Sequence, residues 1–249
     1  MSGLPAGSAS TAGNASTAGT ASTAGNDAPR IVPFGDAALL VILGEAVDVE
    51  LNRRAHALAA AIVRDRAEGL AAWGAPVPGY ASVLAPYDPL RTSPEAAAGR
   101  LTELVAAAGS SDARGGTALP MVELHVRYGG EDGPDLRAVA ERTGLDERAV
   151  VDLHAGTVYR VFLLGFVPGF AYLGTLPDAL TLPRRSEPRT RVPAGSVAIA
   201  GRQTAVYPFS TPGGWHLIGR TEDPLWDLAR TPPARLQPGQ AVRFVPMRG

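Results

Sequence analysis

GFVPGFAYLG from Gly165 to Gly174, PRRSEPRTRVPAGSVAIAGRQTAVYP from Pro183 to Pro208, and TPGGWHLIGRT from Thr211 to Thr221 set the architecture of this chain. Pro and Gly recur there at intervals too short for an ordinary helix. The residues between them are apolar, aromatic or Arg, unlike those of a flexible linker. A chain that turns this often while carrying side chains fit for burial builds a rigid, loop-lined surface. Its polar groups are Arg184, Arg185, Arg189, Arg191, Arg202, Gln203, Tyr207, His216 and Arg220, with few carboxylates beside them. Arg forks bind carboxylate or phosphate bidentately, and Gly lets a ligand approach main-chain N–H groups closely. The stretch therefore reads as a pocket for a small anion or amide.

On its N-terminal side, the strand YRVFLL (Tyr159 to Leu164) feeds directly into this stretch, and VELHVRY (Val122 to Tyr128) alternates apolar and polar residues as a half-buried strand does. Between them, a helix near Pro134 runs through Arg142 and stops at Gly144, and Asp146 caps a second that ends at His154. After Thr221 come a helical turn from Pro224 to Arg230, with Leu225, Trp226 and Leu228 in reach of the core, and a final strand in LQPGQAVRFVP. Many short strands and sharp turns around two small helices predict a closed or nearly closed β-barrel over residues 118–249.

Further upstream, residues 30–108 read as a small α+β unit. Ala37 to Leu43 (AALLVIL) suits a buried strand, and from Val47 to about Arg66 the apolar positions recur at spacings of three and four, an amphipathic helix. YASVLAPY gives another strand. Ser93-Pro94-Glu95 is a helix start with Ser as N-cap, and that helix runs to about Ala108. Gly109 to Thr117 (GSSDARGGT) reads as a linker. Residues 1–29 hold three tandem hexads, ASTAGN, ASTAGT and ASTAGN, and no large apolar residue after Leu4. Such a segment cannot bury enough surface to offset its ordering entropy and is expected to be disordered.

Composition narrows the chemistry. A formal charge of −1 over 249 residues argues against nucleic acid or an anionic membrane as the main partner. No run resembles a signal peptide or a membrane span, so a cytoplasmic protein is expected. Without Cys there is no disulfide, thiolate nucleophile or Cys-based metal site, and without Lys there is no Schiff base and no P-loop lysine. No His and carboxylates stand at metal-ligand spacing, so no metal site is expected.

Individual residues carry two readings each. GFVPGF is either a corner packing two Phe rings or a ligand contact through Pro168, Gly169, Phe170 and Tyr172. Gly213 and Gly214 either form an ordinary turn before Trp215 or present N–H groups to an anion. Arg189 and Arg191 alternate along one strand and share a face, as an anion clamp or as a solvated or carboxylate-paired surface. Gln203 and Tyr207 can read a small amide or sit as satisfied core groups. His154 either caps a helix C-terminus or moves a proton.

Taken together, YGGEDGPDL, GFVPGFAYLG, PRTRVPAGSVAIAG, QTAVYP and TPGGWHLIGRT resemble the motif series of the family containing the bacterial 5-oxoprolinase B subunit, the Kip inhibitor and allophanate hydrolase subunit 1, the carboxyltransferase-domain subdomain C/D type. The resemblance extends over residues 30–249. It implies a ferredoxin-like N-terminal domain and a cyclophilin-like β-barrel C-terminal domain. It further implies partnership with a cyclophilin-like C subunit and a TIM-barrel-like A subunit, in opening 5-oxoproline to glutamate at the expense of ATP with Mg2+, the nucleotide being held by the assembled complex. On that reading His154, Arg189 and Arg191 are the catalytic candidates. Pro168, Gly169, Phe170, Tyr172, Gln203, Tyr207, Gly213, Gly214, Trp215 and Arg220 would contact substrate or ATP. The same motifs occur in a histidine-kinase inhibitor and in urea carboxylase-related modules, so a kinase-docking function and a carboxyltransferase function stand as alternatives.

Overall fold

The computed structural model describes residues 28–110 and 119–247. The repeat tail, up to Asp27, and residues 111–117 of the expected linker lie outside the described residues.

The chain first builds an antiparallel sheet. Strands β1 (Arg30–Pro33), β2 (Ala38–Ile42), β3 (Val77–Pro78) and β4 (Ser82–Pro86) lie in the order β1-β2-β4-β3. Burial alternates strictly along β2 and β4, so Leu39, Val41, Val83 and Ala85 face one way. Against that face pack α1 (Val49–Ala67) and α2 (Pro94–Ser110) through Ala55, Leu58, Ile62, Ala97 and Leu101. Asp48 caps α1 by accepting from the N–H groups of Glu50 and Leu51, at 2.8 and 2.9 Å, and Ser93 caps α2 through Ala96 N. Asp65, buried between the helices, accepts from Trp73 Nε1 and Arg100 Nε, each at 2.8 Å. The chain order ββαββα is not the βαββαβ order of a ferredoxin-like domain, so that expectation is not confirmed. The α+β class is as expected.

Beyond the gap, seven strands among the described residues close into a barrel. They are β5 (Val122–Tyr128), β6 (Val158–Leu164), β7 (Ala171–Gly174), β9 (Ser196–Ala200), β10 (Gln203–Val206), β12 (His216–Arg220) and β13 (Ala241–Pro246), in the closed order β10-β7-β6-β13-β5-β12-β9. Their inward residues, among them Leu124, Val126, Val161, Leu173, Val197, Ile199, Ile218 and Phe244, fill the lumen. Helices α3 (Leu136–Thr143) and α4 (Glu147–Ala155) add Val139, Ala140 and Val150 to the same core. Gly144, at φ 70, ends α3 in the left-handed conformation, and Asp146 caps α4 through Ala149 N. The expected helical turn from Pro224 to Arg230 is instead irregular chain: Leu225 is buried, but Leu228 is 81% exposed.

Outside the barrel, β8 (Arg189–Val192) pairs with β11 (Thr211–Gly213) as a separate two-stranded ribbon. The outward residues of β9 and β10 are the small Ala198, Ala200 and Ala205, which leave room for Phe170, Tyr172, Tyr207 and Trp215 beneath the ribbon. These strands are thus buried on both faces, which explains why the sequence shows no alternation there.

Candidate functional site

Two of the three expected catalytic residues are structural. His154 is fully buried in the barrel among Tyr159 and Phe244, whose rings lie 5.4 and 4.5 Å away. Its neighbours fix its protons. Thr204 Oγ1 donates to Ala198 O at 3.1 Å, so it accepts from His154 Nε2 at 2.8 Å, and Tyr128 OH then donates to Nδ1 at 2.8 Å. Burial drives the His154 pKa down to about 3. A neutral imidazole sealed from solvent, with both nitrogens satisfied, cannot exchange protons with a ligand at the surface.

Arg189 is a carboxylate partner. Its Nη1 and Nη2 reach Asp135 Oδ2 and Oδ1 at 2.9 and 2.8 Å, Arg185 Nη1 adds a bond at 3.0 Å, and Leu217 N donates at 2.7 Å. Burial raises the Asp135 pKa, but Arg189, the Leu217 amide and Arg185 outweigh it and hold the carboxyl below its ordinary range. Asp135 thereby pins the ribbon and the barrel strand β12 to the start of α3. Arg191, exposed on the same strand, reaches only Ser210 Oγ at 3.1 Å. The two arginines therefore form no common clamp.

A different set converges at the seam between the sheet unit and the barrel. Gln203, Ala205 and their cross-strand partners Gly174 and Tyr172 face outward from β10 and β7. Tyr80, in the turn before β4, brings its ring edge-on to Phe162 and Tyr172, both at 6.0 Å, and its hydroxyl donates to Gln203 Oε1 at 3.1 Å. Gln203 Nε2 is buried and has no hydrogen-bond partner among the described residues. Burial raises the pKa values of Tyr80, Tyr172 and Tyr207, and the charge of the exposed Arg184 acts in the opposite direction on all three. At neutral pH the phenols remain neutral O–H groups. The seam thus offers an unpartnered amide donor and phenol hydroxyls within an aromatic wall, in the field of the exposed Arg184.

Local sequence explains the arrangement. The turn GFVPGF closes β6 on β7, with Gly165 N donating to Phe170 O at 3.1 Å and Phe166 at φ 70. Gly169, at φ 78, lies where a Cβ would come within 3.1 Å of Leu225 O. Pro168 is exposed on that turn, whereas Phe170 is buried against Tyr172, Tyr207 and Trp215 at 4.9, 5.3 and 6.1 Å. The corner reading of this motif describes its geometry. Gly213 lies against the Tyr207 hydroxyl, 2.4 Å from any added Cβ, and Gly214 O accepts from Arg185 N. Arg220 lines a separate cleft of about 360 Å³ with Arg127 and Tyr207, its Nε donating to Ala194 O at 3.1 Å.

Sequence reasoning misses Tyr80, Asp135 and Asn52, and names Arg184 among the pocket's polar groups without giving it a site role. Asn52 on α1 explains how Tyr80 reaches the barrel. Its Nδ2 lies 3.1 and 3.2 Å from Gly79 O and Tyr80 O, and 3.1 Å from Phe162 O, which also accepts from His56 Nε2 at 2.7 Å. The amphipathic pattern puts Asn52 and His56 near the wet side of the helix. That side is wet only in the isolated sheet unit; here it is the docking face.

Whether the seam suits a nucleotide is a question of donors. A guanidinium with phenol and amide groups matches one carboxylate and one amide. A magnesium triphosphate calls for several cations around the phosphates and one or two carboxylates for the metal. The seam residues, with one guanidinium and no carboxylate, do not fit that group.

The fold is a closed barrel with an antiparallel sheet unit packed against it through Asn52, His56 and Tyr80. The chain belongs to the family described as carboxyltransferase domain, subdomain C and D, which matches residues 29–236. Its relatives include a protein named as the 5-oxoprolinase B subunit from Bacillus subtilis strain 168, 38% identical over 225 residues that cover 87% of this chain and 92% of that one. Another of that name, from Escherichia coli O157:H7, is 58% identical over 127 residues, 51% of this chain and 58% of that protein. Among solved structures, TTHA0988 is 41% identical with a TM-score of 0.72, covering 85% of this chain but 40% of the longer chain. The Kluyveromyces lactis urea amidolyase shares the fold at a TM-score of 0.70 and 19% identity, over 88% of this chain and 15% of that one. This chain thus spans well under two thirds of several of its relatives. None of its helices among the described residues is long and apolar enough to cross a membrane.

Proposed function

We propose that this chain is the B subunit of an ATP-dependent 5-oxoprolinase, a cytoplasmic hydrolase component that binds the lactam and orients it for opening to glutamate. The observation that carries the reading is Gln203 Nε2, buried without a partner on an amide whose Oε1 accepts from the Tyr80 hydroxyl. 5-Oxoproline presents a carboxylate, a lactam carbonyl and a ring N–H. Arg184 takes the carboxylate, Gln203 Nε2 donates to the carbonyl, and a phenol oxygen of Tyr172 or Tyr207 accepts from the N–H. A donor aimed at the carbonyl oxygen strengthens as charge develops on it.

Amide resonance holds back water attack, and ATP supplies the activation. The nucleotide and its metal belong to the partner proteins on this reading, because the donor set here fits neither. Water adds across the C–N bond: its oxygen stays on the carbonyl carbon and the ring nitrogen leaves protonated as the glutamate amine. Support for partners comes from the name of the Bacillus relative and from TTHA0988, in which the matching region is 40% of a longer chain. We assign the partners as a cyclophilin-like C subunit and a TIM-barrel-like A subunit, and the barrel of this chain as cyclophilin-like.

The test is ATP hydrolysis by the purified chain, alone and with homologues of those two partners, with and without 5-oxoproline. Lactam-dependent turnover that needs all three proteins and fails with Gln203→Leu supports the assignment. If the complete set shows no lactam-dependent turnover, the reading is wrong, and inhibition of a histidine kinase becomes the next assay.

A further inference from the structure

Outside the seam, a partly buried guanidinium stands without a counter-charge among the described residues. Arg160 on β6 is partly buried, and its buried Nε has no hydrogen-bond partner. Burial and the neighbouring Arg53 both push its pKa down, and no acid offsets them. The carboxylates at the start of α1 are engaged elsewhere: Asp48 caps the helix, and Glu50 holds Arg53 Nε at 2.8 Å. His56, which also faces Arg160, has its pKa lowered by burial and its Nε2 on Phe162 O, so it adds no neutralising group. An unpaired cation in a partly desolvated place is unfavourable, and an anion relieves it.

Arg160 lines a cavity of about 350 Å³ whose walls include Val49, Val158, Tyr159 and Ala241. Gly239, at φ +81, leaves the guanidinium uncovered, since a Cβ there would stand 3.0 Å from Nη2. Arg160 and Gln203 are both cross-strand partners of Gly174, so this cavity lies two strands from the seam site along the outer face. The Phe162 ring occupies the space over Gly174, within 2.2 Å of where a Cβ would be.

We propose that this cavity is a second ligand site, which binds a small organic monocarboxylate with its head on the Arg160 fork and its apolar body against Val49, Val158 and Ala241. A single planar fork matches a carboxylate bidentately, whereas phosphate recognition recruits several donors. Apolar walls around one charged group are the pattern of a small-molecule pocket. The inference does not depend on the oxoprolinase reading.

Titration of the purified full chain with butyrate, hexanoate, benzoate and, for contrast, inorganic phosphate tests it by calorimetry and by methyl resonances of Val158 and Ala241. The expected result is binding of hexanoate or benzoate in preference to phosphate, with those resonances shifted. Arg160→Met should weaken that binding about tenfold or more. Val49→Glu, which offers a carboxylate from the first turn of α1, should abolish acid binding and raise the melting temperature. Gln203→Leu should leave acid binding unchanged, which separates this cavity from the seam. Absence of binding by every acid, equal binding to Arg160→Met, or a preference for phosphate overturns the proposal.

Discussion

The His154 chain inside the barrel and the Gln203 cluster at the seam use the same kinds of group to opposite ends. In the first, each polar atom is matched in sequence, from Tyr128 through His154 and Thr204 to Ala198 O. In the second, Tyr80 satisfies one end of Gln203 and the other end stays open. A closed network in a low-dielectric interior rigidifies the fold, while an open one keeps a donor free for a ligand. Polarity alone therefore does not mark a site; polarity left unsatisfied points to one.

Asp135 puts that contrast to its most severe test. Asp135→Ala strands Arg185, Arg189 and the Leu217 amide, and should reduce stability by about 3–5 kcal/mol in urea unfolding, as expected when a buried pair loses one partner. With its folded pKa depressed below the ordinary 3.8, the carboxyl contributes stability that is present above that value and lost as pH falls through the lowered one.

His154→Leu should come next, at about 2 kcal/mol, because it leaves Tyr128 OH and Thr204 Oγ1 without their partner. The wild-type chain should also lose stability as pH falls from 6.5 toward about 3, since the unfolded imidazole takes up a proton that the folded one refuses. That slope should become shallower in the variant, with His56, whose pKa burial also lowers, supplying part of what remains. If His154→Leu instead left the fold intact and removed only activity, the network inside the barrel would belong with the open one at the seam.

At the seam the signs reverse. Tyr80→Phe should leave the melting temperature nearly unchanged and weaken lactam-dependent turnover of the assembled enzyme by about tenfold, the effect of about one hydrogen bond. The smallest effect belongs to Arg191→Ala. Its exposed side chain reaches one serine, and its loss should shift stability by no more than about 0.5 kcal/mol and leave turnover intact. A large loss of turnover there would restore the anion clamp on β8.

Much of the architecture is legible in the sequence because it depends on local patterns. Ser93, Gly144 and Asp146 have the side chains of caps and stops, and each caps or ends its helix. The barrel is legible from short apolar strands punctuated by Gly and Pro. Of the residues singled out from the sequence, Tyr172, Tyr207 and Trp215 gather around Phe170, and Tyr80 links Tyr172 to Gln203. The distinction between Arg184 and Arg189 is not legible, since it depends on Asp135, 54 residues from Arg189 in sequence. Tyr80 is hidden for the same reason, lying 123 residues from Gln203.

The elements, the closure into a barrel and the family follow from periodicity, turn residues and motif order, all of which run along one line of chain and are settled before it folds. Which polar groups end up satisfied is settled only by packing. Partners of a buried charge come from distant segments, and burial, which sets the cost of leaving a group unpaired, is a property of the folded molecule.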